Sequence, residues 1–136
     1  MTREELKNFV SVYNKSVRKG IKGKDKEGKD VEEQTSWAFF DREVIEKLLA
    51  QTDPKAGGIK IYLGQYDKDN LDLVPKDRKD REDYIGRVSL ALSAANREED
   101  GIFDLFDNKS DQEGSDSSIE NGAAICPPYC RPPINI

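Results

Sequence analysis

Histidine is absent from this chain of 136 residues, and its absence excludes every site that needs an imidazole. The chain cannot build Ser-His or Cys-His nucleophile pairs, a HExxH metalloprotease site or an imidazole general base. Most of the common hydrolase chemistries are excluded with them. We therefore expect a protein that is not an enzyme. The weaker alternative is a small enzyme that uses carboxylates together with Tyr62 or Tyr66.

Long apolar runs are missing as well. No stretch approaches the roughly 18 consecutive apolar residues that a transmembrane helix needs, and the start MTREELKNF lacks the apolar region of a secretory signal. Hydrophobic residues make up 35% and charged residues 36% of the chain, against roughly 45 to 50% and about 25% in a typical globular domain. These values predict one small cytoplasmic domain with no membrane contact and a large share of loops.

The charge is acidic overall and unevenly distributed. A net charge of -5 opposes binding to nucleic acid, so we expect no nucleic-acid partner. Basic residues dominate the range 15–30, whereas acidic residues dominate from 96 onward. This separation indicates either a bipolar surface that docks a partner protein or pairs head to tail with a second copy, or simply two solvated loops.

Residues 1–19 carry the pattern of an amphipathic helix. Thr2 and Glu5 have the spacing of a capping box. Apolar side chains then recur at the helical period, at Leu6, Phe9, Val10, Tyr13 and Val17. The pattern predicts a helix over about 3–18, which either packs on the core or forms an arm that docks on another protein. A charged linker rich in Gly and Lys follows at 20–34.

The aromatic run from Trp37 to Phe40 can be interpreted in two ways. In the first, Ser36 caps a single helix that continues through Leu49. In the second, residues 35–40 form a strand and Asp41 caps a helix over 42–51. We favour the second because Asp is among the best N-cap residues and strands favour aromatic side chains.

Two later segments alternate between apolar and other side chains, as half-buried strands do. One contains Ile59, Ile61 and Leu63, and the other contains Val88, Leu90 and Leu92. A short strand at 71–74 and a further core-packing element at 102–106 are also predicted. The fold class is therefore α+β, a single domain in which two helices pack on an antiparallel sheet of about three to five strands.

The remaining segments are predicted from their composition. The α+β core covers 35–106 and is followed by an acidic flexible segment at 107–121, which has too few apolar residues to offset the cost of ordering. The chain then ends in an irregular tail rich in Cys and Pro at 122–136.

Both cysteines lie within five residues, in Cys126-Pro127-Pro128-Tyr129-Cys130. The pair can form a disulfide, act as a redox couple or provide two ligands to Zn²⁺ or Cu(I), with further ligands from a second chain. A polyproline II backbone would hold the two Cα atoms roughly 12 Å apart, beyond the limit of about 7 Å for a disulfide. Bridging or chelation therefore requires a turn. The remaining alternative is a structural element that packs on the domain or on a partner.

Four motifs follow one another along the chain: Trp37-Ala-Phe-Phe-Asp41 before a short helix, Gly58-Ile-Lys-Ile-Tyr-Leu-Gly64, Val88-Ser-Leu-Ala-Leu92, and Cys-Pro-Pro-Tyr-Cys near the end. In this order they resemble a group of small Bacteroidota proteins that has no established activity. The resemblance covers about residues 35–130. It implies a bacterial cytoplasmic protein with a compact α+β domain, and it assigns no catalytic residue.

These observations favour a non-enzymatic protein–protein interaction module, an accessory or immunity-like protein of a bacterial system. Its partner would be another protein, and a homo-oligomer is compatible with the same features. The candidate partner-binding residues are Trp37, Phe39, Tyr62 and Tyr129. The alternative is a thiol protein in which Cys126 and Cys130 bind a metal or cycle between dithiol and disulfide. No other cofactor is expected.

Overall fold

Residues 1–108 and 117–132 are described by the computed structural model, and their contacts divide the chain into two units. The first unit contains Met1–Ala38, Gln65–Ser89 and the described part of Ala124–Ile136. The second contains Phe39–Gly64 and the described part of Leu90–Ala123. Residues from the predicted core range 35–106 therefore contribute to both units.

In the first unit, helix α1 spans Arg3–Lys15 and begins with the predicted capping box. The Oγ1 of Thr2 accepts the N–H of Glu5 at 3.1 Å, and the Glu5 carboxylate accepts the N–H of Thr2 in return. The helix ends at Ser16, whose hydroxyl donates to the carbonyl of Val12, and a short helix α2 follows over Val17–Gly20. The predicted helix over 3–18 is thus interrupted at a serine, a residue that competes with the helix for backbone hydrogen bonds.

The charged segment after α2 forms a tight loop. The N–H of Asp25 donates to the carbonyl of Lys29 at 2.8 Å, and the N–H of Val31 donates to that of Gly23 at 3.0 Å. Gly23 lies so close to Gly86 that a Cβ on it would be 1.9 Å from the Gly86 carbonyl oxygen. A residue without a side chain is therefore required at this contact.

The core of the first unit combines distant parts of the chain. Its buried apolar side chains include Tyr66, Val74, Tyr84, Ile85 and Ile125. The side chain of Gln34 is buried as well, and it donates to the carbonyl of Gly86 and accepts the N–H of Val88. These bonds satisfy the buried amide, which would destabilise the fold if it had no hydrogen-bond partner.

The second unit places helix α3, Arg42–Leu49, against a sheet. Strand β1 covers Trp37–Phe39 and Asp41 occupies the N-cap position of α3, so the favoured order of strand, N-cap and helix is confirmed. The Asp41 side chain makes no capping hydrogen bond, and α3 ends at Leu49, before the predicted end of the helix. Leu48 of α3 packs with Leu92 and Ala94 in the buried cluster of this unit. The apolar residues around them are Phe40, Val44, Ile45, Ile59 and Leu105.

The main sheet contains β2 (Gly57–Gln65), β3 (Val88–Glu98), β4 (Gly101–Asp104) and β5 (Ile119–Glu120). Its order is β2-β3-β4, and β5 also pairs with β3. The β3–β4 hairpin is antiparallel and sets Ala95 opposite Asp104, and β5 is antiparallel to β3 with Glu120 opposite Leu92. Helices and an antiparallel sheet together confirm the predicted α+β class.

The two predicted strands around Ile61 and Leu90 are confirmed as β2 and β3. A separate two-stranded sheet joins β1 to β6, which covers Ala124–Cys126 at the start of the predicted irregular tail. Within the predicted flexible segment 107–121, residues 109–116 lie outside the described residues and 119–120 form β5. The predicted element at 102–106 corresponds to β4 and the 3-10 helix Leu105–Asn108.

The predicted short strand at Leu71, Leu73 and Val74 is wrong, because Leu71–Leu73 form a 3-10 helix. The carboxylate of Asp67 accepts the N–H of Asp69 at 2.8 Å and that of Asn70 at 2.9 Å. Such local side-chain to backbone bonds turn the chain and compete with strand pairing.

Among the helices of residues 1–108 and 117–132, none has the length and apolar character of a membrane span.

Candidate functional site

The two cysteines are joined as a disulfide, with Cα atoms 4.9 Å apart. The chain turns between them, since the N–H of Tyr129 donates to the carbonyl of Ile125 at 2.8 Å and the N–H of Cys130 donates to that of Pro128 at 3.1 Å. The turn contains cis peptide bonds before both prolines of the motif. Cys126 itself is fully buried.

The aromatic run and the cysteine motif, which the sequence analysis treated separately, lie side by side. Strand β1 pairs with β6, and the N–H of Ser36 donates to the carbonyl of Cys126 at 2.6 Å. Trp37 is half-buried in this arrangement, whereas Tyr129 in the disulfide turn is half exposed. Both of these predicted partner-binding residues belong to the first unit.

The metal hypothesis for Cys126 and Cys130 stays a prediction. Within residues 1–108 and 117–132, no group of three or more Cys, Asp or Glu side chains is placed to hold a metal ion. Because each sulfur is bonded to the other, metal binding would require prior reduction and further ligands from a second chain.

The buried carboxylate of Asp104, at the end of β4, is the centre of a polar cluster in the second unit. The Oδ2 of Asp104 accepts from the Nζ of Lys60 at 2.6 Å and from the hydroxyl of Tyr62 at 2.8 Å. Its Oδ1 accepts from the hydroxyl of Ser93 at 2.6 Å. Lys60 and Tyr62 belong to β2, so their side chains cross β3, the middle strand, to reach Asp104 on β4.

The protonation states of this cluster favour a structural role. Burial opposes ionisation of Asp104, yet hydrogen bonds from Lys60, Ser93 and Tyr62 hold the pKa of its carboxyl below the ordinary value. The hydrogen bond to Asp104 raises the pKa of Lys60 and that of Tyr62. A general acid or base works best with a pKa near the working pH, so these shifts argue against acid–base catalysis by this cluster.

Phe39 and Tyr62, the other two predicted partner-binding residues, belong to the second unit. Phe39 is 57% exposed and is available for contact. Tyr62 is 42% exposed, but its hydroxyl donates a hydrogen bond to Asp104. Sequence analysis missed Lys60, Ser93 and Asp104. Strand alternation could have placed Lys60 and Tyr62 on one face, whereas their meeting with Asp104 depends on strand order.

An apolar stripe is exposed along α1. None of the thirteen residues of α1, all of them described, is buried. Phe9 and Val12 are each 68% exposed, and Leu6 is also exposed. On another side of the helix, the hydroxyl of Tyr13 donates to the carbonyl of Thr35 at 2.7 Å. The side of the helix that carries Tyr13 is therefore tied to its own unit, and Val10 and Tyr13 are half-buried, while the stripe faces solvent.

A second exposed apolar element is β2, the terminal strand in the order β2-β3-β4. Ile61 is 56% and Leu63 is 78% exposed. A terminal strand presents unpaired backbone groups along its outer side and can pair with another chain.

The charged loop of the first unit borders an open cleft of about 400 Å³. Lys26 and Glu82 form an ion pair at its lining, with 2.6 Å between Nζ and Oε2. Another ion pair joins Lys24 to Asp30 at 2.6 Å. These acids partly neutralise the basic segment that the sequence shows, so the cleft offers no concentrated positive charge to an anionic ligand.

Comparisons with protein-family models, with curated proteins and with solved structures gave no match.

Proposed function

We propose that this chain is a non-enzymatic protein–protein interaction module, an accessory or immunity-like protein of a bacterial system that works in the cytoplasm. The observation that carries the proposal is the exposed stripe of Leu6, Phe9 and Val12 on α1. The pKa directions of the Asp104 cluster, which do not suit acid–base catalysis, support the non-enzymatic part.

The stripe has the spacing of a binding helix. Leu6, Phe9 and Val12 are three residues apart, so they lie on one side of the helix. Helices that bind in an apolar groove of a partner present such anchors at intervals of three or four residues. The capping box at Thr2 and Glu5 stabilises the first turn of the helix.

The helix is also held in place before binding. Tyr13 of α1 donates to the carbonyl of Thr35, and in the following helix α2 the Nε of Arg18 donates to the carbonyl of Gln34 at 2.8 Å. A preformed and anchored helix loses less conformational entropy on association than a disordered segment does. The partner we infer is a protein with an apolar groove about two helical turns long.

The test is native mass spectrometry of the complex captured from the organism that encodes the chain, repeated with purified components once the partner is identified. Phe9→Glu combined with Val12→Glu should weaken binding at least about tenfold, because burying each side chain contributes about 1.5 to 3 kcal/mol. Asn8→Glu, at an exposed polar position of the same helix, should leave affinity unchanged. A partner that binds the double variant as tightly as the native chain would overturn the proposal.

A second candidate function is supported by the disulfide between Cys126 and Cys130. In a cytoplasmic protein most thiols are kept reduced, and disulfides that do form there are usually transient, catalytic or redox-sensing. In this second proposal a cytoplasmic dithiol reduces the Cys126–Cys130 disulfide by thiol–disulfide exchange and becomes a disulfide itself. An oxidised disulfide, such as that of glutathione, later takes the two electrons back and reforms the bond. The exchange alters the β1–β6 sheet that carries Trp37.

The two candidates are separated by replacing both cysteines with alanine. Alanine is preferred to serine because Cys126 is fully buried and an unpaired hydroxyl there would be destabilising. Loss of host activity in the C126A/C130A variant, with the α1 partner still bound, supports the thiol function. Full host activity in that variant contradicts it.

A further inference from the structure

We propose that β2 pairs with β2 of a second copy of this chain, in an antiparallel register centred on Ile61. The proposal goes beyond the interaction function proposed for α1, because it uses a strand of the second unit rather than a helix of the first. The resulting dimer would have two-fold symmetry.

The backbone of β2 is open on one side among the described residues. The N–H of Arg97 in β3 donates to the carbonyl of Ala56, whereas the N–H of the next residue, Gly57, turns away to the carbonyl of Asp53. Because successive residues of a strand direct their backbone groups to opposite sides, Ile59, Ile61 and Leu63 direct theirs away from β3. Nothing among the described strands pairs with that side.

The side chains of β2 are self-complementary about Ile61, the middle residue of Gly57–Gln65. In the centred register Ile61 faces Ile61 of the partner subunit, and Ile59 faces the partner's Leu63. These apolar side chains lie on the face where Ile59 already packs against the cluster of Leu48, Leu92 and Ala94. The dimer would therefore extend an existing apolar surface across the two-fold axis.

The charge of Lys60 also favours the register centred on Ile61. Lys60 is the one charged residue of β2, and the centred register sets it opposite the partner's Tyr62, an aromatic ring that can attract an ammonium group. Within one chain, the Nζ of Lys60 already lies 5.8 Å from the centre of the Tyr62 ring. A register centred on Lys60 would instead oppose two ammonium groups, which is destabilising. A register centred on Tyr62 would leave Gly57 and Gly58 without partners.

Self-pairing favours a second copy over an unrelated peptide. A two-fold interface must present the same patch twice, with each residue contacting its symmetry-related counterpart. The sequence Gly58-Ile-Lys-Ile-Tyr-Leu-Gly64 satisfies this requirement, because apolar residues and glycines occur at equal distances on both sides of Ile61.

Disulfide crosslinking of the full-length chain tests the register. Ile61→Cys should form a covalent dimer under a mild glutathione couple, because the two sulfurs would meet at the two-fold axis. The matched control is Leu63→Cys on the same strand, which is more exposed but would face Ile59 of the partner subunit and should crosslink at least about tenfold less. Equal crosslinking of the two variants would overturn the proposed register.

Sedimentation equilibrium tests the association itself. The native chain should dimerise, and Ile61→Lys should raise the dissociation constant at least about tenfold because it opposes two like charges. Leu73→Lys, at another exposed apolar position, should leave it unchanged. A monomeric native chain, or an Ile61→Lys variant that dimerises normally, would overturn the proposal. The Phe9→Glu and Val12→Glu variant should still dimerise, so failure of the α1 proposal remains distinguishable from failure of this one.

Discussion

At the scale of single residues, Asp104 shows how a carboxylate can be buried in a chain with few apolar residues. It is 3% exposed, and its two oxygens accept hydrogen bonds from Lys60 and Tyr62 of β2 and from Ser93 of β3. The ammonium of Lys60 supplies the compensating charge at 2.6 Å. A buried charge is tolerated when it is paired and its remaining lone pairs are satisfied.

Asp104→Asn should lower the free energy of unfolding by about 2 to 3 kcal/mol, because it removes a buried charge and leaves its donors poorly paired. Urea denaturation followed by circular dichroism measures this change. Asp100→Asn, at an exposed position in the β3–β4 turn, is the control and should change stability by less than about 0.5 kcal/mol. Equal stability losses in the two variants would contradict the role assigned to Asp104.

The pH dependence of stability should report the same group. Folding lowers the pKa of Asp104 below the ordinary value of about 3.9. Its contribution is therefore present above that pH and is lost as the pH falls through the folded value. Between about pH 5 and pH 2 the native chain should lose more stability than the Asp104→Asn variant. Parallel stability curves for the two proteins would show that Asp104 has no depressed pKa.

At the scale of elements, the charged loop at 23–31 depends on the close approach of Gly86 to Gly23 and Lys24. Gly86 has a φ of +83° and a Cβ on it would lie 2.5 Å from the carbonyl oxygen of Lys24. Gly28 has a similar φ of +80°, but nothing lies within 4 Å of the position of its Cβ. The two glycines share a backbone conformation and differ in their surroundings.

Gly86→Ala should therefore destabilise the protein more than Gly28→Ala. A left-handed conformation costs an L-residue about 1 to 2 kcal/mol, and that is the full cost expected at Gly28. At Gly86 the backbone clash adds to it, so we expect a total loss of at least about 3 kcal/mol. Thermal unfolding of the two variants compares them directly. A Gly28→Ala variant as unstable as Gly86→Ala would contradict the importance of this contact.

At the scale of the whole molecule, packing between distant segments contributes more to folding stability than the Cys126–Cys130 disulfide does. The first unit combines three separate segments of the chain, and the second combines two. The disulfide links residues only four positions apart, so it constrains little of the unfolded chain. Most of the stability must come from noncovalent contacts between segments that are distant in sequence.

The C126A/C130A variant should accordingly remain folded and lose about 2 kcal/mol of unfolding free energy, the value that loop-closure entropy gives for a loop of about five residues. Urea denaturation measures the loss, and the native chain in a phosphine reductant should show a similar shift. A variant that fails to fold would mean that the disulfide is needed for far more than closing its own turn.

Local patterns predicted most of the elements correctly. The capping box at Thr2 and Glu5, the N-cap position of Asp41 and the alternation around Ile61 all depend on residues close together in sequence. The strand at 71–74 was wrong because the bonds made by Asp67 and Asn70 outweighed the apolar pattern. Apolar spacing alone does not reveal such competition.

The candidate sites were less accessible to this reasoning. The sequence drew attention to Cys126 and Cys130 but left disulfide, metal and redox roles open, and it gave no reason to single out Asp104 among 27 acidic residues. The helical spacing of the apolar residues in α1 likewise did not indicate whether they would face a core or solvent.

The sequence by itself determined the absence of imidazole chemistry, the α+β class and the starts of α1 and α3, because composition, capping and periodicity are local properties. Only the tertiary structure decided that Lys60 and Tyr62 meet Asp104, that the aromatic run pairs with the cysteine segment, and that β2 is terminal among the described strands of its sheet. These features depend on which strands become neighbours. Strand order is set by packing between distant segments, and the alternation of apolar residues along a single strand does not predict which strands will lie beside it.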